Sequence, residues 1–132
     1  MKWKVIFDPA FEAEFGGLPE AVQDELLAQA KLLEVFGPEL GRPRVDTLNG
    51  SSHANMKELR FDADNGVWRV AFAFDPERKA ILLVGGDKSG GGEKRFYKQL
   101  IRKADERFDA HLARLKARAG ASKPVTKKGK RR

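Results

Sequence analysis

"MKELRFDADNGVWRVAFAFDPERKAILLVGG", residues 56–86, decides how this chain folds. It holds three apolar runs, 56–61, 67–74 and 80–86, joined by the short connectors "DADNG" and "DPERK". Connectors this short and this rich in turn residues join neighbouring strands of opposite direction, so the stretch predicts an antiparallel meander. Side chains alternate between the two faces of a strand. In the middle run Trp68, Val70, Phe72 and Phe74 share one face, and Arg69 points the other way beside Ala71 and Ala73. In the first run Leu59 and Phe61 share a face while Glu58 and Arg60 point opposite. If the aromatic face meets the helices, Arg60 and Arg69 stand on the open face of adjacent strands, with small alanines leaving room beside them. The plainer alternative is that these arginines only solvate an exposed sheet face. The third run is apolar on both faces and belongs in the interior of the sheet.

Upstream, "WKVIF" (3–7) has strand character, with Trp3, Val5 and Phe7 on one face. Asp8-Pro9 supplies a cap and a first helical residue for a short helix through about Phe15, and Gly16-Gly17 breaks it. A second helix starts near Pro19 with Glu20 and Asp24 in its first turn. It carries Val22, Leu26, Ala30 and Leu33 on one stripe and ends at Gly37-Pro38. Residues 37–55 show no sustained period and read as a long loop. Downstream, "GGDKSGGGEKRFYKQL" (85–100) leads into Phe96, Leu100, Ala104, Phe108 and Leu112 at four-residue spacing, which predicts an amphipathic helix from about Glu93 to Leu115. The order is β-α-α-β-β-β-α: an α+β domain over residues 1–115, with a helical hairpin and a C-terminal helix packed on one face of an antiparallel sheet. Residues 116–132 hold eight Lys/Arg and no acid, and are expected to be a disordered basic tail.

Composition narrows the function classes. The 132 residues suit one domain with one real core. No stretch approaches the roughly 18 apolar residues of a membrane span, and "MKWKVIFDPAF" meets acid and proline too soon for a secretory signal. The absence of cysteine excludes disulfides and thiolate metal ligands and suits a reducing cytoplasm. Two histidines, His53 and His111, argue against a histidine-built metal site. The net charge of +7 is unevenly spread. Without the tail, 18 basic residues face 19 acidic ones; residues 1–40 hold three basic and eight acidic, and residues 41–103 thirteen basic and eight acidic. A positive surface for an anionic partner therefore has to come from the middle and C-terminal part of the fold.

The glycine-rich stretch is no nucleotide loop. A Walker loop needs Gly-x-x-x-x-Gly-Lys-Ser/Thr between a parallel strand and a helix, and here Asp87 precedes Lys88-Ser89 with the wrong spacing. Its bare backbone N–H groups, with Lys88, Lys94 and Arg95, suit a phosphate near the helix N-terminus; a flexible connector with solvated charges fits the same residues. Tyr97, the chain's single tyrosine, is either a core-edge aromatic or a group that stacks a base at the site. His53, in the long loop, suits proton shuttling near neutrality or plain exposure, and His111 reads as a surface residue. No Ser-His-Asp set, paired inward carboxylates or metal cluster can be assembled from the rest.

Three segments, "LNGSSHANMKELRF", "VWRVAFAFD" and "ILLVGGDKSGGGEKRFYKQLIRKA", resemble the RelE/ParE superfamily of toxins from type II toxin–antitoxin modules, nearest its phage-derived, HigB-like branch. The likeness runs from about Trp3 to Leu115. It implies a metal-independent, cofactor-free mRNA endonuclease that works in the cytoplasm on or near the ribosome and arrests translation. It also implies an antitoxin partner, often a helix-turn-helix protein, and no membrane. By position it casts Arg60 and Arg69 as phosphate stabilisers, Lys57 and Lys88 as groups that bind or transfer protons, and Tyr97 as the residue that orients or stacks the base. His53, Lys94 and Arg95 become substrate contacts. Glu58 interrupts the basic strand, and the glycine insert before Glu93 alters the spacing to Tyr97. The ParE branch, whose members inhibit DNA gyrase without catalysis, is the competing implication, and an inactive phage-derived nucleic-acid-binding relic is a third.

Overall fold

The computed structural model describes residues 2–122. The chain runs β1 (Lys4–Phe7), α1 (Pro9–Phe15), α2 (Glu20–Phe36), a 3-10 turn (Gly37–Glu39), β2 (Val45–Thr47), β3 (Lys57–Ala63), β4 (Gly66–Phe74), β5 (Lys79–Asp87) and α3 (Glu93–Ser122). Local chemistry sets most of these bounds. The Asp8 carboxylate accepts from the N–H groups of Ala10 and Phe11 at 2.9 and 3.2 Å, capping α1 one residue before Pro9. Gly37 ends α2 at φ 53°, where a Cβ would overlap the Trp3 indole.

The five strands order as β1-β5-β4-β3-β2. β3, β4 and β5 form the expected antiparallel meander. The sheet as a whole is mixed, because β1 lies parallel to β5. β2, three residues inside the stretch read as loop, pairs antiparallel with β3 at the opposite edge. The β3–β4 turn places both Asp64 and Asn65 at positive φ, 51° and 60°, as a two-residue hairpin of the primed type requires. Asn65→Ala is therefore expected to lower stability by about 1 kcal/mol, the cost of holding an ordinary L-residue left-handed; a shift in the urea midpoint reads this directly.

The helices do not share one face. α1 and α2 bury Phe11, Val22, Leu26 and Leu33 against Leu59, Phe61, Val70, Phe72 and Leu82. α3 buries Leu100, Ala104 and Phe108 against Ala71, Ala73, Ile81 and Leu83 on the other side. The face expected to be open is thus covered over much of its length, and the alanines make room for a helix more than for arginines. A register shift between Ala71 and Phe72 turns both Leu83 and Val84 of β5 toward α3. β5 is interior, as its two apolar faces require. α3 continues seven residues beyond Leu115, so residues 116–122 of the expected tail are helical; residues 123–132 lie outside the described part. His111, read as a surface residue, is buried and meets Asp75 at 2.8 Å.

Candidate active site

The site forms where the first turns of α3 cross the ends of β3, β4 and β5. Arg60 and Arg69 are directly paired across β3 and β4, and Glu58 lies opposite Ala71 on the same face. Gly86 of β5 faces Arg69 from the other side. A Cβ at Gly86 would come within 2.9 Å of the Phe96 ring, so the bare glycine lets α3 settle and bring Tyr97 onto the arginines.

Neither arginine projects freely. Arg69 is only 6% exposed. Its Nε donates to the Tyr97 hydroxyl at 3.2 Å, its Nη1 donates to the Trp68 carbonyl at 2.9 Å, and its Nε stands 3.8 Å from Glu58 Oε1. Arg60 is half-buried and reaches Asp46 on β2 at 3.3 Å. Lys88 donates to Glu93 at 2.8 Å across the glycine connector. That bond holds the Glu93 carboxyl below its ordinary range, with further pull from Lys88, Arg69 and Arg60. The connector itself is ordered by Asp87, whose carboxylate accepts from Ser89 N and Oγ and from Val67 N. These bonds lower its pKa, the Ser89 hydroxyl most.

Strand alternation put Glu58 on the arginine face but gave it no part in the site. It is 5% exposed, and its Oε1 is a buried oxygen without a hydrogen-bond partner. Burial pushes its pKa up, against the pull of the Tyr97 hydroxyl and the guanidinium groups of Arg69 and Arg60. Burial also raises Tyr97, reinforced by its hydrogen bond to Glu58 and opposed by Arg69. An arginine, a phenol and a carboxylate thus share one network. A cleft of about 330 Å³ opens beside it, lined by Asp46, Thr47, Leu48, Asn49, Glu58 and Tyr97. A glutamate on the face of a basic strand, paired with arginines by alternation, was the available signal.

Of the residues named from sequence, the structure brings Arg60, Arg69, Lys88 and Tyr97 together, with Lys94 and Arg95 exposed on the adjoining turn of α3. Two are elsewhere. Lys57 shares the parity of Leu59 and Phe61, so it stands on the α1–α2 side of the sheet. His53 bonds Asp109 at 2.7 Å and packs edge-on against Phe108. Asp109 is three turns beyond Tyr97, about 18 Å along the helix. Ser51 and Ser52, clamped to Asp105, hold the histidine's loop on α3 rather than over the arginines. Among the described residues no group of three or more His, Asp or Glu is placed to hold a metal, and no helix is long and apolar enough to cross a membrane.

This fold, a mixed five-stranded sheet with a helical hairpin on one side and a long helix on the other, is similar to that of solved RelE proteins. A double-arginine mutant of E. coli toxin RelE in the free state matches at a TM-score of 0.51 and 15% identity, over 78% of this chain and 97% of that one. The archaeal RelE–RelB complex from Pyrococcus horikoshii OT3 gives 0.50 and 18%, over 69% and 100%. The chain belongs to the family of phage derived Gp49-like proteins, whose model matches residues 13–109. It is 41% identical over 120 residues to "Putative toxin HigB2" of Mycobacterium tuberculosis (strain ATCC 25618 / H37Rv), covering 90% of this chain but 57% of that relative, little more than half its length. "Putative toxin HigB3" of the same organism is 47% identical over 109 residues, covering 83% of this chain and 93% of that relative.

Proposed function

We propose that this protein is the toxin of a type II toxin–antitoxin module and cleaves messenger RNA at the Arg60–Arg69–Glu58–Tyr97 site, on or near the ribosome. One observation carries the reading: Glu58, whose buried Oε1 has no hydrogen-bond partner, and the Tyr97 phenol share the wall of a cleft, beside the cross-strand pair Arg60–Arg69 and next to the connector and first turn of α3 that carry Lys88, Lys94 and Arg95. RNA supplies what that oxygen lacks, the donor of a 2′-hydroxyl. Glu58 Oε1 accepts the 2′-hydroxyl proton as the oxygen attacks its own adjacent phosphorus. The bond from phosphorus to O5′ breaks, leaving a 2′,3′-cyclic phosphate on one fragment. Lys88 or the Tyr97 phenol returns a proton to O5′, which leaves as a 5′-hydroxyl. Arg60 and the exposed cations meet the charge that builds on the phosphoryl oxygens, and each such preorganised donor contributes about 3 kcal/mol. Arg69, bonded to the Tyr97 hydroxyl and the Trp68 carbonyl and beside Glu58, holds Tyr97 and Glu58 in register.

The names of the HigB relatives and of the RelE–RelB complex support the toxin assignment and an antitoxin partner. The proposal predicts a small helix-turn-helix reading frame beside this one, which sequencing of the flanking DNA would check. Residues 1–115 form the proposed toxin domain. The basic residues from 116 onward add salt-sensitive, sequence-independent affinity for RNA.

A gyrase-inhibiting reading of the ParE kind draws on one observation: Arg60, Arg69 and Lys88 each already stand beside a carboxylate. Induction in a bacterial host separates the two. RNA cleavage predicts loss of mRNA with translation arrest inside minutes; gyrase inhibition predicts a DNA-damage response and filamentation with mRNA intact. The second pattern would overturn the proposal.

A further inference from the structure

Resting on the RNA-cleavage reading, we infer that Asp46 and Glu93 are built-in competitors of the RNA backbone: each holds one cation of the site in the free protein and surrenders it to a phosphate. Arg60 Nη1 donates to Asp46 Oδ2 at 3.3 Å, and Lys88 Nζ donates to Glu93 Oε1 at 2.8 Å. Carboxylate and phosphoryl oxygens are both charged acceptors for guanidinium and ammonium groups, so they compete for the same N–H donors.

These two pairs can exchange, unlike the third pair of the site. The side chains of Arg69 and Glu58 are each only 7% exposed, and parting them strands a buried charge. Those of Arg60 and Asp46 are 30 and 34% exposed, and Glu93 stands out in solvent. Each released carboxylate also keeps a favourable place. Asp46 Oδ1 accepts from Thr47 N at 2.8 Å and its Oδ2 lies 3.6 Å from Arg42 Nε, so two partners remain when Arg60 leaves. Glu93 is the first residue of α3, where water and the positive end of the helix both favour its charge.

Both carboxylates stand where phosphates have to arrive. Asp46 lines the cleft together with Glu58 and Tyr97. The pKa of Glu93 is lowered by Lys88 first and then by Arg69 and Arg60, so this one carboxylate lies in the field of all three cations. Between Lys88 and Glu93, the Cβ positions of Gly90, Gly91 and Gly92 look onto open space, so the connector can follow when the pair parts. Neutralising either carboxylate therefore strengthens RNA binding, although it takes an ion pair from the folded protein. Pairs that only fastened β2 to β3, or the connector to α3, would set stability and leave RNA affinity alone.

The test measures binding of the full chain to a fluorescently labelled uridine decamer with 2′-fluoro riboses, which cannot cleave, across a salt series. Asp46→Asn and Glu93→Gln, each checked for folding by its melting temperature, are expected to bind about fivefold tighter than wild type, the upper worth of an exposed ion pair. The slope of log affinity against log salt should steepen by about 0.7 in each, the increment for one more phosphate neutralised on a single strand. Asp24→Asn, the same charge change at an exposed position of α2, should leave that slope unchanged. In a Lys88→Ala background the gain from Glu93→Gln should vanish. Wild-type affinity in both carboxylate variants, an unchanged slope, or a gain from Glu93→Gln that persists without Lys88 would overturn the competition while leaving the RNA reading intact. Failure of the wild type and every variant to bind the decamer would overturn both.

Discussion

Replacing Arg69 by alanine is expected to abolish growth arrest and to lower folding stability at neutral pH by about 3 kcal/mol. The sequence alone suggests a silent knockout, because a strand arginine on an open face can be removed without harm to the core. Burial changes that expectation. Arg69 is 6% exposed, and its removal leaves the Tyr97 hydroxyl without its donor and the Glu58 carboxylate in a buried site without its cation. The loss should depend on pH in a definite direction. The pKa of Glu58 is raised in the folded protein, mainly by burial, so the folded state binds its proton more tightly than the unfolded chain does. Stability associated with this group is greatest below its unfolded pKa and declines as pH climbs through the folded one. Without Arg69 the folded pKa rises further, so the deficit of the variant should shrink as pH is lowered and Glu58 takes up a proton. The pair Arg69→Ala with Glu58→Gln should regain most of the stability at pH 7 and none of the activity. Urea unfolding of both variants at pH 7 and pH 5 measures this; a wild-type-stable Arg69→Ala protein that still arrests growth would remove the site as drawn.

Glu58→Gln alone should behave differently. Gln removes the buried charge that burial disfavours while giving up the contact with Arg69, so stability at pH 7 should fall by less than in Arg69→Ala. Proton transfer from the 2′-hydroxyl is lost, and the cleavage rate should drop roughly 10²–10⁴-fold, the usual contribution of a positioned base. The wild-type pH–rate profile should show an acidic limb above the ordinary glutamate range, with activity gained as pH rises through the folded pKa of Glu58. The variant should lack that limb. A Glu58→Gln protein of undiminished rate, or a limb that persists in it, would move the proton-acceptor role to another group.

The meander was legible because turn chemistry is local: Asp64-Asn65 and Asp75-Pro76 set where the chain reverses, and alternation from Lys57 to Phe74 then fixes every face. The same rule put Arg60 and Arg69 on one face of adjacent strands; that they are direct register partners is what the structure adds. What covers the second face was misjudged, although the signal was present. Ile81 and Leu83 are apolar on the side that Ala71 and Ala73 share, and a strand apolar on both sides needs a partner on both sides. Once α3 lies there, Arg69 is buried and Tyr97 comes over it. Glu58 was visible as a residue but not as a buried oxygen, since its state depends on a helix some forty positions downstream. His53 and His111 were misplaced for the same reason, their partners Asp109 and Asp75 being 56 and 36 residues away. The three-residue strand β2 carried too little pattern to emerge from a stretch rich in proline and glycine.

The most direct measurement is the chemistry of the new RNA ends. Wild-type protein, and Glu58→Gln protein beside it, would be added to a translating bacterial extract, and the fragments of a defined mRNA would be tested for their terminal groups. The account predicts 5′-hydroxyl ends paired with 2′,3′-cyclic phosphates, produced by the wild type and not by the variant. Intact message under conditions that arrest translation, or fragments with 5′-phosphates, would contradict it.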